Sequence, residues 1–286
     1  MKLTTQSHSK FSLRNAVKAL LPKRLFCEVN ANKPSINAPF YVNLFGLPIT
    51  NVSMTQAVNW VTNKPNPLAT KVGLFVNVNS INQSLATPAL KAHLRQADAL
   101  FADGIGMRIA AHHQGYELQD NVNGTDMLPL LCQQCVNHQR SVYLLGGADG
   151  IALKTASQLK QRFPNLKIAG SHHGYIDEKE SEELIQQINE SQCDILLVAM
   201  GTPIQESWIM HHKDALQCRT ILGVGGLFDF YSGAITRAPM MVRRLNAEWC
   251  WRLAMEPVKK FKRYVIGNPL FLFRTYVLGL ANKGEK

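Results

Sequence analysis

The chain has 286 residues, which at roughly 150 per domain allows one large domain or two small ones. Its 46% hydrophobic and 18% charged composition excludes disorder as the main state. The net charge of +11 is unevenly placed: residues 1–39 carry seven Lys/Arg against one acid, residues 237–286 eleven against three, and residues 40–236 thirteen against sixteen, giving +6, +8 and −3. Basic ends of this kind suit a phosphate-rich partner, whether nucleic acid, an anionic membrane surface or an anionic substrate. The six cysteines, at 27, 132, 135, 193, 218 and 250, are too few and scattered for a disulfide scaffold, so a reducing, cytoplasmic compartment is expected. Lys18, Lys23 and Arg24 interrupt the apolar residues of the N-terminal segment, which argues against a secretory leader.

In chain order, residues 41–50 predict a short hairpin turning near Gly46. Beyond it, apolar β-branched runs alternate with helical spacing, the pattern of a mostly parallel, Rossmann-like α/β sheet flanked by helices. Strands are expected at 71–77, 99–102, 141–145, 166–169, 194–199 and 220–224, several apolar throughout as burial on both faces requires. Helices are expected at 53–61, 81–96, 104–113, 125–138, 151–163, 179–191 and 204–215, with Ser53 and Asp149 as N-caps and Asp177 opening an acidic first turn. After about residue 237 the strands cease and the chain turns basic, aromatic and helical. Three parts follow: a basic extension over 1–39, an α/β domain over 40–236 and a C-terminal appendage over 237–286. Residues 264–281 are the most apolar stretch, but Asn268, Pro269 and Arg274 interrupt it, and a span needs about 20 apolar residues. Following Lys259, Lys260, Lys262 and Arg263, it suits a segment lying in a membrane interface or a terminal helix packed on the core.

Ligands of open α/β sheets sit at the carboxyl ends of the strands. Four such ends stand out: Asn77-Val-Asn79-Ser80, Asp103-Gly104-Ile105-Gly106, Gly146-Gly147-Ala148-Asp149-Gly150 and Gly223-Val224-Gly225-Gly226. The Gly146–Gly150 turn either cradles a phosphate at a helix start or makes a tight strand-to-helix turn; it lacks the full G-x-G-x-x-G dinucleotide fingerprint. Asp103, between an apolar run and two glycines, is either a carboxylate tuned for proton abstraction or an N-cap. The His-His pairs at 112/113, 172/173 and 211/212 lack metal-helix spacing, and Cys132-Gln-Gln-Cys135 lies within a helical pattern, so buried helix cysteines are the better reading. There is no G-x-S-x-G elbow and no D-x-D acid pair to announce a divalent metal, so arginines must neutralise any phosphate. The appendage offers Arg237, Arg243, Arg244, Arg252 and Arg263 beside Trp249 and Tyr264. The aromatics fit no identifiable nucleic-acid-binding motif.

Ordered motifs carry a family resemblance from Val42 to Phe271: V-N-x-x-G at 42–46, V-N-x-N at 76–79, A-D-G-x-G at 102–106, N-G-T-D at 123–126, L-L-G-G at 144–147, G-x-P-x-Q-E at 201–206, V-G-G-x-F-D at 224–229, and R-A-P through E-W-x-x-R-L-x-x-E-P at 237–257. The chain resembles the WecG/TagA/CpsF glycosyltransferases, bacterial enzymes that extend lipid-linked sugars in surface polysaccharide assembly. The resemblance implies a modified Rossmann-like domain and an appendage that completes the active site at the membrane. It places Asp103 on the general base and Asn79 and Gln205 on polar active-site positions. Arg237, Arg244, Arg252 and Arg263 fall among the arginines that meet a departing UDP diphosphate. Asn77, Asn121, Gly124, Asp126, Gly146, Gly147, Gly201, Gly225 and Gly226 complete the candidate substrate-binding set. Asn77 and Asn121 stand where the family often has Thr and Arg, which bears on the donor sugar.

The implied activity is inverting transfer of N-acetylmannosamine, its uronic acid or a hexose from a UDP donor to a polyprenyl-diphosphate-linked sugar, independently of metal. No nucleic-acid partner is expected. The site of action would be the cytoplasmic face of the plasma membrane, peripherally, as monomer or homo-oligomer. The alternative is a non-catalytic nucleotide- or nucleic-acid-binding α/β protein using its basic ends as arms.

Overall fold

The computed structural model describes residues 40–63 and 70–282. The basic extension over 1–39 lies outside the described residues. Eight strands form one sheet in the order β1-β2-β4-β3-β8-β7-β5-β6: β1 Tyr41–Leu44, β2 Leu47–Thr50, β3 Lys71–Val76, β4 Ala99–Ala102, β5 Ser141–Gly146, β6 Lys167–His172, β7 Ile195–Ala199 and β8 Thr220–Gly223. Only β1 and β2 pair antiparallel, as the predicted hairpin; its two-residue turn places Phe45 (φ 57°) and Gly46 (φ 74°) in the left-handed region. That conformation is unusual for Phe. Phe45 is held there by burial against Phe271, with ring centroids 5.3 Å apart.

The helices divide between the two faces of the sheet. One apolar layer collects α2 (Val78–Ala86), α3 (Pro88–Arg95), α4 (Ile105–His113), α7 (Glu178–Glu190) and α8 (Ile204–His212). The other collects α1 (Met54–Thr62), α5 (Gly124–Asn137), α6 (Ile151–Arg162) and the short α9 (Leu227–Tyr231). Strands β3, β4, β5, β7 and β8 read as apolar runs because both faces are covered in this way. After β3 the chain leaves toward the first layer and after β8 toward the second. These strands are neighbours, so a crevice opens between their carboxyl ends.

The C-terminal part is helical: α10 (Met240–Arg244), α11 (Glu248–Met255), α12 (Pro257–Phe261), a π-helical turn (Lys262–Ile266) and α13 (Gly267–Tyr276). Helix α13 is clamped to α2, since Asn82 Nδ2 donates to the Gly267 carbonyl at 2.8 Å and Arg274 donates to Asn82 Oδ1 at 2.8 Å.

Three local expectations need correction. The helix expected over 81–96 is two, because Pro88 has no N–H to continue the ladder and starts α3 instead. Asp149 does not cap α6; Gly150, at φ 76°, does, without a side-chain bond. Helix α9, five residues long, was not foreseen because the glycines before it hide any periodicity.

Candidate active site

Asn77 ends β3 and caps α2. Its Oδ1 accepts from the amides of Asn79 (3.0 Å) and Ser80 (3.2 Å), and its Nδ2 donates to Asp103 Oδ2 at 3.3 Å across the β3–β4 strand ends. One amide therefore fixes a helix start and a carboxylate together. Asp103 is not an N-cap: α4 is capped by Gly104 without a side-chain bond, and the Gly104 amide donates to Asn121 Oδ1 at 2.6 Å. A guanidinium, having donors only, could not accept that bond, so Asn121 supports the turn beside Asp103 in a way Arg would not. Gly104 sits at φ 93°, which a side chain would strain.

Burial pushes the Asp103 carboxyl above its ordinary value; the Asn77 bond and the positive fields of Arg252 and Arg263 pull it back, and Asp126 adds to the rise. The two arginines come from α11 and the π-helical turn, so the appendage reaches the strand end electrostatically. Arg252 lies over the Phe230 ring at 4.4 Å and Arg263 over Tyr264 at 5.3 Å. Asp126, oriented by Asn123 at 2.8 Å, pairs with Arg237 at 2.7 Å and more loosely with Arg243 at 3.9 Å. The buried Nε atoms of Arg243 and Arg263 have no hydrogen-bond partner, while that of Arg237 faces Glu248 Oε1 at 3.7 Å. Unspent buried donors on cations suit an anion.

The remaining candidates sort differently. Arg244 is exposed, and its neighbour Arg243 is the one 3.9 Å from Asp126. Asn79 is half-buried in the first turn of α2, while Gly124 begins α5 behind Asp126. Gly201 (φ 80°) and Gly225 (φ 58°) follow β7 and β8, and Gly226 begins α9. Gln205 is buried, its Oε1 accepting from the Gly225 amide at 2.8 Å, so it braces the strand-end loop from beneath. At Gly146 a Cβ would lie 2.4 Å from the Ala199 carbonyl oxygen and at Gly147 2.6 Å from Ile151, and the Gly147 amide already donates to Ala199. Close packing of the β5 and β7 ends therefore accounts for this turn better than a phosphate cradle.

Sequence reasoning did not single out Asp229, the acid of V-G-G-x-F-D. Burial raises its pKa, Lys260 and Arg252 lower it and Glu256 raises it, so Arg252 acts on two half-buried carboxyls at once. Cys132 and Cys135 are buried in α5, the Cys132 thiol pushed up to about 12 and Cys135 higher still, both unreactive. Among the described residues no three His, Cys, Asp or Glu side chains are grouped to hold a metal ion.

A mostly parallel α/β sheet with a carboxylate at one strand end and arginines reaching toward it from a helical appendage is an arrangement suited to an anionic ligand. The chain belongs to the glycosyl transferase WecG/TagA/CpsF family, which matches residues 42–284. It is thus a glycosyltransferase, of the hexosyltransferase class. It is similar to an N-acetylglucosaminyldiphosphoundecaprenol N-acetyl-beta-D-mannosaminyltransferase of Staphylococcus aureus (strain MRSA252), 32% identical over 236 residues, covering 82% of this chain and 91% of the relative. The enzyme of the same name from strain MW2 is 33% identical over 240 residues, with the same shares covered.

Proposed function

We propose that this chain transfers an N-acetylhexosamine, N-acetylmannosamine first among the candidates, from a UDP donor to a polyprenyl-diphosphate-linked N-acetylglucosamine in surface polysaccharide synthesis. The observation that carries this reading is Asp103, a half-buried carboxyl at the β4 end within the fields of Arg252 and Arg263. Asp103 takes the proton of the acceptor hydroxyl as its oxygen attacks the anomeric carbon. The bond from that carbon to the diphosphate breaks on the opposite face, which inverts the configuration. The leaving UDP carries its charge toward Arg243, Arg252 and Arg263, fixed donors that need no reorganisation as charge develops. With arginines in that role, no metal is required, and turnover should survive EDTA.

The same appendage supports work at a membrane surface. Met241, Leu245, Val258, Phe261, Ile266 and Phe273 are exposed, and Lys259 and Lys262 lie among them. Apolar side chains interleaved with lysines fit an anionic lipid interface. Among the described residues no helix is long and apolar enough to cross a membrane. The proposed contact is peripheral, on the cytoplasmic face, and rests on those apolar and lysine side chains.

The test is a panel of UDP-sugars against synthetic polyprenyl-diphosphate-linked N-acetylglucosamine, with the product anomer read by NMR. UDP release that requires the lipid acceptor and gives an inverted linkage supports the reading. Absence of transfer from every donor, or a retained anomer, overturns it. Salt-sensitive oligonucleotide binding without sugar transfer would favour the non-catalytic alternative instead.

A further inference from the structure

We propose that Glu206 is a positioning residue that sets the orientation of the Gln205 side-chain amide, through which it holds the Gly225 amide at the edge of the β3–β8 crevice. Both residues lie in the first turn of α8, Gln205 2% exposed and Glu206 0%. The two ends of a glutamine amide are nearly equal in shape and opposite in polarity. With Oε1 toward Gly225 the amide accepts an N–H at 2.8 Å; reversed, it would set its own NH2 against that N–H.

Glu206 breaks the tie. Its Oε1 accepts from Gln205 Nε2 at 3.0 Å and from Thr202 Oγ1 at 2.8 Å, so the nitrogen end of Gln205 is pinned on the far side from Gly225. Glu206 Oε2 is buried and has no hydrogen-bond partner. An ionised carboxylate with a bare buried oxygen is strongly disfavoured. Burial raises the Glu206 pKa, and the hydrogen bonds from Gln205 and Thr202 pull it back. The chain Thr202–Glu206–Gln205–Gly225 thus ties the loop after β7 to the loop after β8. At Gly223 a Cβ would meet Leu74 at 2.7 Å and Gln205 Nε2 at 3.2 Å, so packing between strands and the brace both leave it no room. The consequence for catalysis rests on the proposed function, with the donor seated in that crevice.

The test uses the full-length protein and two readouts. The first is hydrogen exchange of the Gly225 amide by NMR, which needs no substrate. Glu206→Met should speed exchange at Gly225 as much as Gln205→Met does, and the double variant should add nothing further. Glu206→Gln, which restores a carbonyl acceptor, should restore most of the protection. If Glu206→Met does not fold, Glu206→Asp, which draws the acceptor away by one methylene, gives the same comparison. The second readout is the donor KM, expected to rise about tenfold in Glu206→Met with a smaller change in kcat, the scale of one hydrogen bond, and by no more in the double variant. Unchanged Gly225 exchange in Glu206→Met, or losses that add in the double variant, would overturn the proposal. If wild-type protein turns over no UDP-sugar, the functional reading fails, whereas the exchange experiment still decides the role of Glu206.

Discussion

Replacing Asp103 by Asn removes a charge and a proton acceptor while leaving shape nearly unchanged. The side chain can still accept from Asn77 Nδ2, which lies 3.3 Å from Oδ2, so the helix cap at Asn77 should persist. Loss of a general base is worth about 10²- to 10⁴-fold in rate, or about 3–5 kcal/mol of barrier. Stability should move the other way. Burial is the largest influence on Asp103 and raises its native pKa above the unfolded value of 3.8. Below that value both states hold the proton and the charge costs nothing. As pH rises the unfolded chain ionises first, so the native state loses stability until its own raised pKa is passed, after which the penalty is constant. Asp103→Asn should therefore melt higher than wild type at neutral pH, with the gap closing toward pH 3. Transfer assays and melting curves across pH measure both quantities. Turnover in the variant within about tenfold of wild type would refute the base assignment, and a wild-type acid limb in kcat/KM at or below the ordinary carboxylate range would refute the electrostatic argument.

Asn77→Ala should lower stability by about 1 kcal/mol through loss of the cap. Because the Asn77 bond lowers the Asp103 pKa, its removal should also shift the acid limb of kcat/KM to higher pH; an unmoved limb would show that the contact is not felt by the base. Arg252→Met removes a positive field from Asp103 and Asp229 alike, so the same limb should rise and donor KM should increase; a change in KM alone would confine Arg252 to binding. Among the described residues, a thiol reagent should label Cys250 in the native protein and spare Cys132, Cys135, Cys193 and Cys218 until denaturant is added, as peptide mapping can verify.

The sheet was legible because two-sided burial writes itself as uninterrupted apolar runs: Ala99–Ala102 was read to the residue, and β3 and β7 to within one. The strand ends were legible as places, since glycines and short polar side chains follow the runs. What each side chain does there was not. Asn77 and Asp103 are 26 positions apart and meet only because β3 and β4 pair in register. Arg243 and Arg244 are adjacent, and no spacing rule tells which one a five-residue helix turns inward. Gln205 read as a substrate contact, yet both ends of its amide are engaged by protein, a fact settled by β8 lying beside β7. Asp229 sat in a recognised motif without a role because its neighbours Lys260 and Glu256 arrive from the appendage.

The uneven charge acquires a physical meaning at Asp103. A carboxyl buried deeply enough to be a strong base toward a hydroxyl is also drawn toward its neutral form, in which it cannot act. The body, at −3, supplies a hydrogen bond from Asn77 and, through Asp126, a further push in the wrong direction. The Asn77 bond is the larger correction, and Arg252 and Arg263, both within the +8 segment, add to it. Those two guanidinia lie on α11 and the π-helical turn, so part of the pull toward ionisation comes from the appendage. Asp126 promotes docking by pairing with Arg237, even though its own charge opposes ionisation at a distance. The pairing is direct and the repulsion is the weakest of the influences on Asp103, so docking brings Arg252 and Arg263 to offset part of the rise that burial causes.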